Sequence, residues 1–148
     1  MGYPSAFVNF AKRLSMAKTI TITSLRKAVL FVLWNTDRPL KAYDILERLA
    51  DDQPHATATA LYRALGFFVT AGVVHKIDSI QSYALCGKKE AHTCSELFMV
   101  CSSCHKVHEV QDVAVRHVMQ QLALCHDFHV SDDPIELRGL CARCRAKH

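Results

Sequence analysis

The sequence predicts an α+β chain in two parts. A winged helix-turn-helix spans residues 1–86, a small α/β unit spans 96–148, and a hinge at 87–95 joins them. Three observations carry this reading. Apolar residues recur at helical spacing four times before Gly72 and switch to short strand-like runs after it. Charge is divided unevenly: residues 1–86 hold ten Lys and Arg against six Asp and Glu, while 87–148 hold eight against eight, so the front carries the whole +4. All seven cysteines, and seven of the nine histidines, lie in 86–148. A basic front is thus joined to a charge-neutral back rich in soft metal ligands.

The elements follow in order. Phe7, Phe10, Ala11 and Leu14 mark a short amphipathic helix. A second runs over about residues 24–35, with Leu25, Ala28, Val29, Val32 and Leu33 on one face and Pro39 just beyond its end. A third spans about 42–50 and buries Ile45, Leu46 and Leu49. A fourth spans 56–71, with Leu61, Leu65 and Phe68 inward and Gly72 placed as a terminal cap. Residues 73–77 and 82–86 read as two strands around a mostly polar turn, 78–81. In the back part, strands at 97–101 and 107–110 flank a cysteine pair. Val115, Val118, Met119 and Leu122 mark a helix, and 135–140 form a last strand that leads into a second pair. Trp34 reads as core, and Cys125, ending a buried helix pattern, as a small hydrophobe.

Composition narrows the classes further. Half the residues are apolar and 22% charged, a globular rather than a disordered balance. No apolar run reaches the roughly 18 residues of a membrane span. The first 20 residues lack the pattern of a secretory signal, and seven cysteines cannot all pair, so the expected compartment is the cytoplasm and the expected thiols are reduced.

Helix three, a short connection, helix four and a hairpin is the order of a winged helix-turn-helix. Thr59, Tyr62 and Arg63 share the outward face of helix four at spacing i, i+3, i+4. These types reach phosphates and base edges, and an Arg can bond guanine bidentately. Lys41 and Tyr43 open helix three, where a helix amino end meets phosphate. The alternative is an ordinary solvated helix face. His55, just before helix four, reads as a loop or cap residue.

Cys101-Ser-Ser-Cys104 and Cys141-Ala-Arg-Cys144 are two Cys-x2-Cys knuckles separated by 36 residues. Two knuckles can close a tetrahedral four-thiolate site, and thiolate softness favours Zn2+. Such a site has no open position and contributes folding energy rather than catalysis. His75, Cys86, His92, Cys94, His105, His108 and Glu109 remain as candidates for a second site. His117, His126 and His129 read as solvated or capping residues, and His148 as part of a frayed tail.

These residues resemble the ferric uptake regulator family of bacterial metal-responsive repressors, over nearly the whole chain. The stretch from His55 through Thr57, Thr59, Tyr62 and Arg63 is similar to the family's recognition helix, with its Thr/Ser-x-x-Tyr-Arg-x-Leu pattern. The resemblance implies a DNA-binding set of Lys41, Tyr43, Thr57, Thr59, Tyr62 and Arg63, and a structural zinc on Cys101, Cys104, Cys141 and Cys144. The segments from Gly72 to Lys76 and from Ser82 to Cys86 most resemble the zinc uptake regulator branch. That likeness implies a regulatory zinc on His75, Cys86, His92 and Glu109, with Cys94 able to substitute for His92. Iron-type members carry a His-rich run before the first knuckle; here it is replaced by Ser95, Glu96, Leu97 and Phe98. Arg116 and Asp133 stand where many members place a Glu and a His, and a cationic Arg116 argues against an additional metal site.

The implied function is a zinc-responsive transcriptional repressor, a homodimer through the α/β unit, on palindromic operators of zinc-uptake genes. One zinc per chain would be structural and one regulatory. No membrane and no small-molecule substrate enter this reading. Two alternatives stand beside it: a zinc-storage or metal-delivery protein without DNA binding, and an iron- or manganese-sensing member of the same family. An enzyme is not expected. The chain has no His-Glu-x-x-His, and no His-x-Glu paired with Pro-Cys-x-x-Cys, so metalloprotease and deaminase chemistry lack their base.

Overall fold

The computed structural model describes residues 2–86, 97–110, 112–131 and 133–147. The chain divides into two compact units, Met1–His92 and Thr93–His148. The expected hinge at 87–95, His92, Cys94 and His148 lie outside the described residues.

The first unit is helical up to Gly72. Helices α1 (Ser5–Lys18), α2 (Ser24–Trp34), α3 (Ala42–Leu49) and α4 (Ala58–Thr70) precede a two-stranded antiparallel hairpin, β1 (Val74–Ile77) and β2 (Ser82–Leu85). Each helix buries one stripe. Phe7 and Ala11 come from α1, and Ala28 to Leu30, Val32 and Leu33 from α2. Ala42, Ile45 and Leu49 come from α3, and Leu61, Ala64, Leu65 and Phe68 from α4. With Val73, Val74 and Tyr83 of the hairpin region they form one core. Side chains tie the helices together at the rim. The Arg26 guanidinium sits 3.5 Å over the Phe67 ring, and Gln53 Nε2 donates to Ser24 Oγ at 3.2 Å. Tyr3, Phe7, Phe31 and Trp34 cluster where α1 meets α2, so Trp34 packs at the edge of the core, half-buried.

Local signals set the helix ends. Thr23 and Thr57 cap α2 and α4 by accepting from the amides of Arg26 and Ala60. The start of α4 therefore falls at Ala58, two residues later than the apolar pattern suggested. At the other end Gly72, at φ 67°, closes α4. Its amide donates to Val69 and that of Val73 to Phe68, the two reverse bonds of a left-handed helix terminus. The expected polar turn is a short 3-10 helix, Asp78–Ile80, followed by Gln81 at φ 48°.

The second unit is a three-stranded sheet, β3 (Leu97–Cys101), β4 (Val107–Val110) and β5 (Ile135–Gly139), in the order β4-β3-β5. Strand β3 pairs antiparallel with β4 and parallel with β5, and α5 (Val113–Cys125) makes the crossover. A short α6 (Ala142–Arg145) follows β5; its four residues carry no periodicity that could have announced it.

One expectation about this unit fails. Helix α5 buries only Ala123. Val113, Val118, Leu122 and Leu124 are exposed, with Leu124 at 70% and Phe128 beyond the helix at 68%. Cys125 is exposed as well and is no buried hydrophobe. The apolar spacing is that of a helix with a face to cover, and the chain's own fold leaves that face open. Among the described residues, no helix is long and apolar enough to cross a membrane.

Candidate metal centres and nucleic-acid interface

Parallel pairing explains how two distant knuckles meet. Strands β3 and β5 run side by side, with Cys101 opposite Gly139, so both leave the sheet at the same end. The chain after β3 turns back through Ser102 to Lys106, with His105 at φ 56°; the chain after β5 enters α6 at Cys141. Ser102 N–H donates to Gly139 O at 2.8 Å and stitches the two exits together. The four sulfurs of Cys101, Cys104, Cys141 and Cys144 then all lie within 4.8 Å of one another. Cys104 Sγ and Cys141 Sγ are 3.8 Å apart. A tetrahedral site with Zn–S bonds of about 2.3 Å puts its sulfurs roughly 3.8 Å apart, so the cluster fits the ion that its donor set favours.

The cluster's electrostatics point the same way. The amide of Cys104, then that of Cys141, donates toward Cys101 Sγ and lowers its pKa to about 5. Cys104 is lowered too, first by the amide of Lys106. The Ser103 hydroxyl pulls Cys144 the same way, but the neighbouring thiol of Cys141 and burial outweigh it and raise Cys144 to about 11. Four thiols this close cannot all ionise alone; a dication in their midst removes the conflict. Ser103 and the donating amides were not legible from spacing, which names the candidate thiols but not the peptide planes around them.

The first unit brings His75 and Cys86 together. His75 is the second residue of β1 and is buried, at 5% exposure. Cys86 follows β2, and its amide donates to Val73 O at 2.9 Å, so the hairpin closes with the two side chains adjacent. Their ligand atoms lie within 4.8 Å of each other. Glu109, the expected ligand from the second unit, is half-buried on β4 opposite Phe98. His105 and His108 are exposed around the knuckle and are not gathered with either group.

The expected DNA-facing residues are all on the surface of the first unit. Lys41, Tyr43, Thr57, Thr59, Tyr62 and Arg63 are exposed, Tyr43 at 75% and Tyr62 at 57%. Lys41 precedes α3, where Asp44 accepts from its amide at 3.2 Å. Thr57 Oγ1 is engaged by the Ala60 amide, so this hydroxyl holds the start of α4. A large exposed aromatic beside an Arg on one helix face is not a packing requirement, and both residue types can reach phosphates and base edges. A backbone bridge between Leu40 and Tyr83, with bonds of 2.9 and 2.7 Å, fixes the hairpin beside the start of α3.

The family model described as the ferric uptake regulator family matches residues 17–138. The chain belongs to that family. The zinc uptake regulation protein of Escherichia coli (strain K12) is 33% identical over 134 residues, which cover 90% of this chain and 78% of that one. The ferric uptake regulation protein of Bacillus subtilis (strain 168) is 27% identical over 130 residues, 85% of this chain and 86% of that one. Among solved structures, a zinc uptake regulator complexed with zinc and DNA superposes with a TM-score of 0.84 at 30% identity, covering 98% of both chains. The α+β class, with a winged helix-turn-helix first, is the fold of this family.

Proposed function

We propose that this family member is a zinc-responsive transcriptional repressor that binds palindromic operators of zinc-uptake genes when its regulatory site is loaded. The observation that carries the reading is the pairing of buried His75 with Cys86 at the base of the hairpin that directly follows the helix bearing Tyr62 and Arg63. A nitrogen and a thiolate donor suit zinc better than iron or manganese, whose sites lean on oxygen. The likeness to a regulator complexed with zinc and DNA supports the same choice.

Cys101, Cys104, Cys141 and Cys144 hold a structural zinc. His75 and Cys86 hold a regulatory one, completed by His92, or Cys94 in its place, and by Glu109. Bound there, zinc supplies a shared centre of positive charge for donors from two units. His75 and Cys86 fix the hairpin; Glu109 contributes from the other unit, so loading favours one arrangement of the reading heads. Zinc and operator then strengthen each other's binding reciprocally. The exposed apolar face of α5 and Phe128 is covered by a second copy, which makes a C2 dimer and matches a palindrome. The protein works in the cytoplasm on double-stranded DNA, without catalysis.

The test is a mobility shift on uptake promoters, titrated with buffered Zn2+, Fe2+ and Mn2+. A shift that zinc produces at far lower free concentration than the other two is expected. A shift independent of metal, or led by iron, overturns the assignment.

A further inference from the structure

We infer that Lys76 is a phosphate contact supplied by the hairpin, and that Asp78 is the carboxylate that competes with phosphate for it; the inference rests on the DNA-binding reading above. Lys76 is the one exposed residue of strand β1, between buried His75 and buried Ile77. Its ammonium is held by Asp78 Oδ1 at 2.6 Å, with 43% of the Lys76 side chain still exposed. Across the ladder it pairs with Tyr83, whose backbone is bridged to Leu40, the residue before Lys41. Tyr83 and Tyr62, the latter on the reading face of α4, both lie near enough to act on the Lys76 charge.

The arrangement puts one cation of the hairpin on the side of Tyr62 and near Lys41, where a duplex on α4 brings its sugar-phosphate backbone. An exposed ion pair of this kind adds little to folding. It does occupy the Lys76 ammonium, and a phosphate oxygen can replace the Asp78 carboxylate as its partner. The strand therefore has two jobs at neighbouring residues on opposite faces: His75 to metal, Lys76 to phosphate.

The experiment measures operator and scrambled-duplex affinity against salt for the zinc-loaded full chain, by fluorescence anisotropy. Lys76→Ala should weaken both duplexes roughly 3- to 10-fold near physiological salt and make the slope of log K against log salt shallower by about 0.9. Lys76→Arg should restore the slope. Asp78→Asn should strengthen both duplexes several-fold, because the competing carboxylate is gone. Zinc content and zinc affinity without DNA should be unchanged in all three, which shows that they are folded. An unchanged slope in Lys76→Ala, beside a wild type that binds its operator with zinc, overturns the role of Lys76 alone. A wild type that binds no DNA with zinc overturns both this and the proposed function.

Discussion

The thiols at the end of the second sheet do not share charge equally, and the inequality would make zinc loading there a proton-releasing event. Cys101 lies at about 5, so it is a thiolate at pH 7, whereas Cys144 lies at about 11 and keeps its proton. Loading the metal must displace that proton. Zinc affinity should therefore rise with pH from neutrality toward 11, and calorimetry in buffers of different ionisation heat should record proton release on binding at pH 7. The sign for the metal-free fold follows from Cys101. Its folded pKa is depressed, so its contribution to stability is full above the unfolded thiol range and is lost as pH falls toward about 5. At this scale the sequence was informative about which thiols gather: two Cys-x2-Cys spacings name the four residues whose sulfurs meet. It was silent about proton positions, which depend on whether the amides of Cys104, Cys141 and Lys106 aim at sulfur. Thr57 shows the same limit. Its place in the motif marks it for DNA, yet its hydroxyl already accepts from Ala60.

Elements were legible where a period and a punctuation residue coincide. Helix α4 ends at Thr70 because Gly72 accepts φ 67°, a left-handed backbone that an L side chain resists. Gly72→Ala should cost roughly 1–2 kcal/mol of stability in chemical denaturation, from backbone strain at the joint between α4 and the hairpin. No effect would mean that the joint relaxes freely. Helix α6 escaped because four residues make no pattern. Helix α5 was legible as a helix but its burial was not, since a 3.6-residue apolar period looks the same whether the chain or a partner covers it. That ambiguity has a direct test. Leu124→Lys should turn a dimer into a monomer in light scattering while the thiol cluster still retains zinc; a variant that stays dimeric would place the partner surface elsewhere.

For the molecule as a whole, the uneven distribution of charge and cysteine acquires a physical sense. The basic front holds the exposed Lys41, Arg63 and Lys76, while four thiolates around a dication would leave the back with a site charge of about −2. Phosphate is thus attracted to the unit that presents α4. The pairing of His75 with Cys86 had no simple spacing to announce it; ten residues separate them, and only a hairpin with its register between Val74 and Leu85 makes them neighbours. The family resemblance supplied what periodicity could not. Under the proposed function the two thiol sites do different work, and parallel measurement of zinc stoichiometry and operator affinity in Cys86→Ser and Cys101→Ser separates them. Cys86→Ser should stay folded, keep one zinc per chain and lose zinc-dependent operator binding, whereas Cys101→Ser should lose its fold or its assembly. Equal damage from both substitutions, in stability and in DNA binding alike, would contradict it.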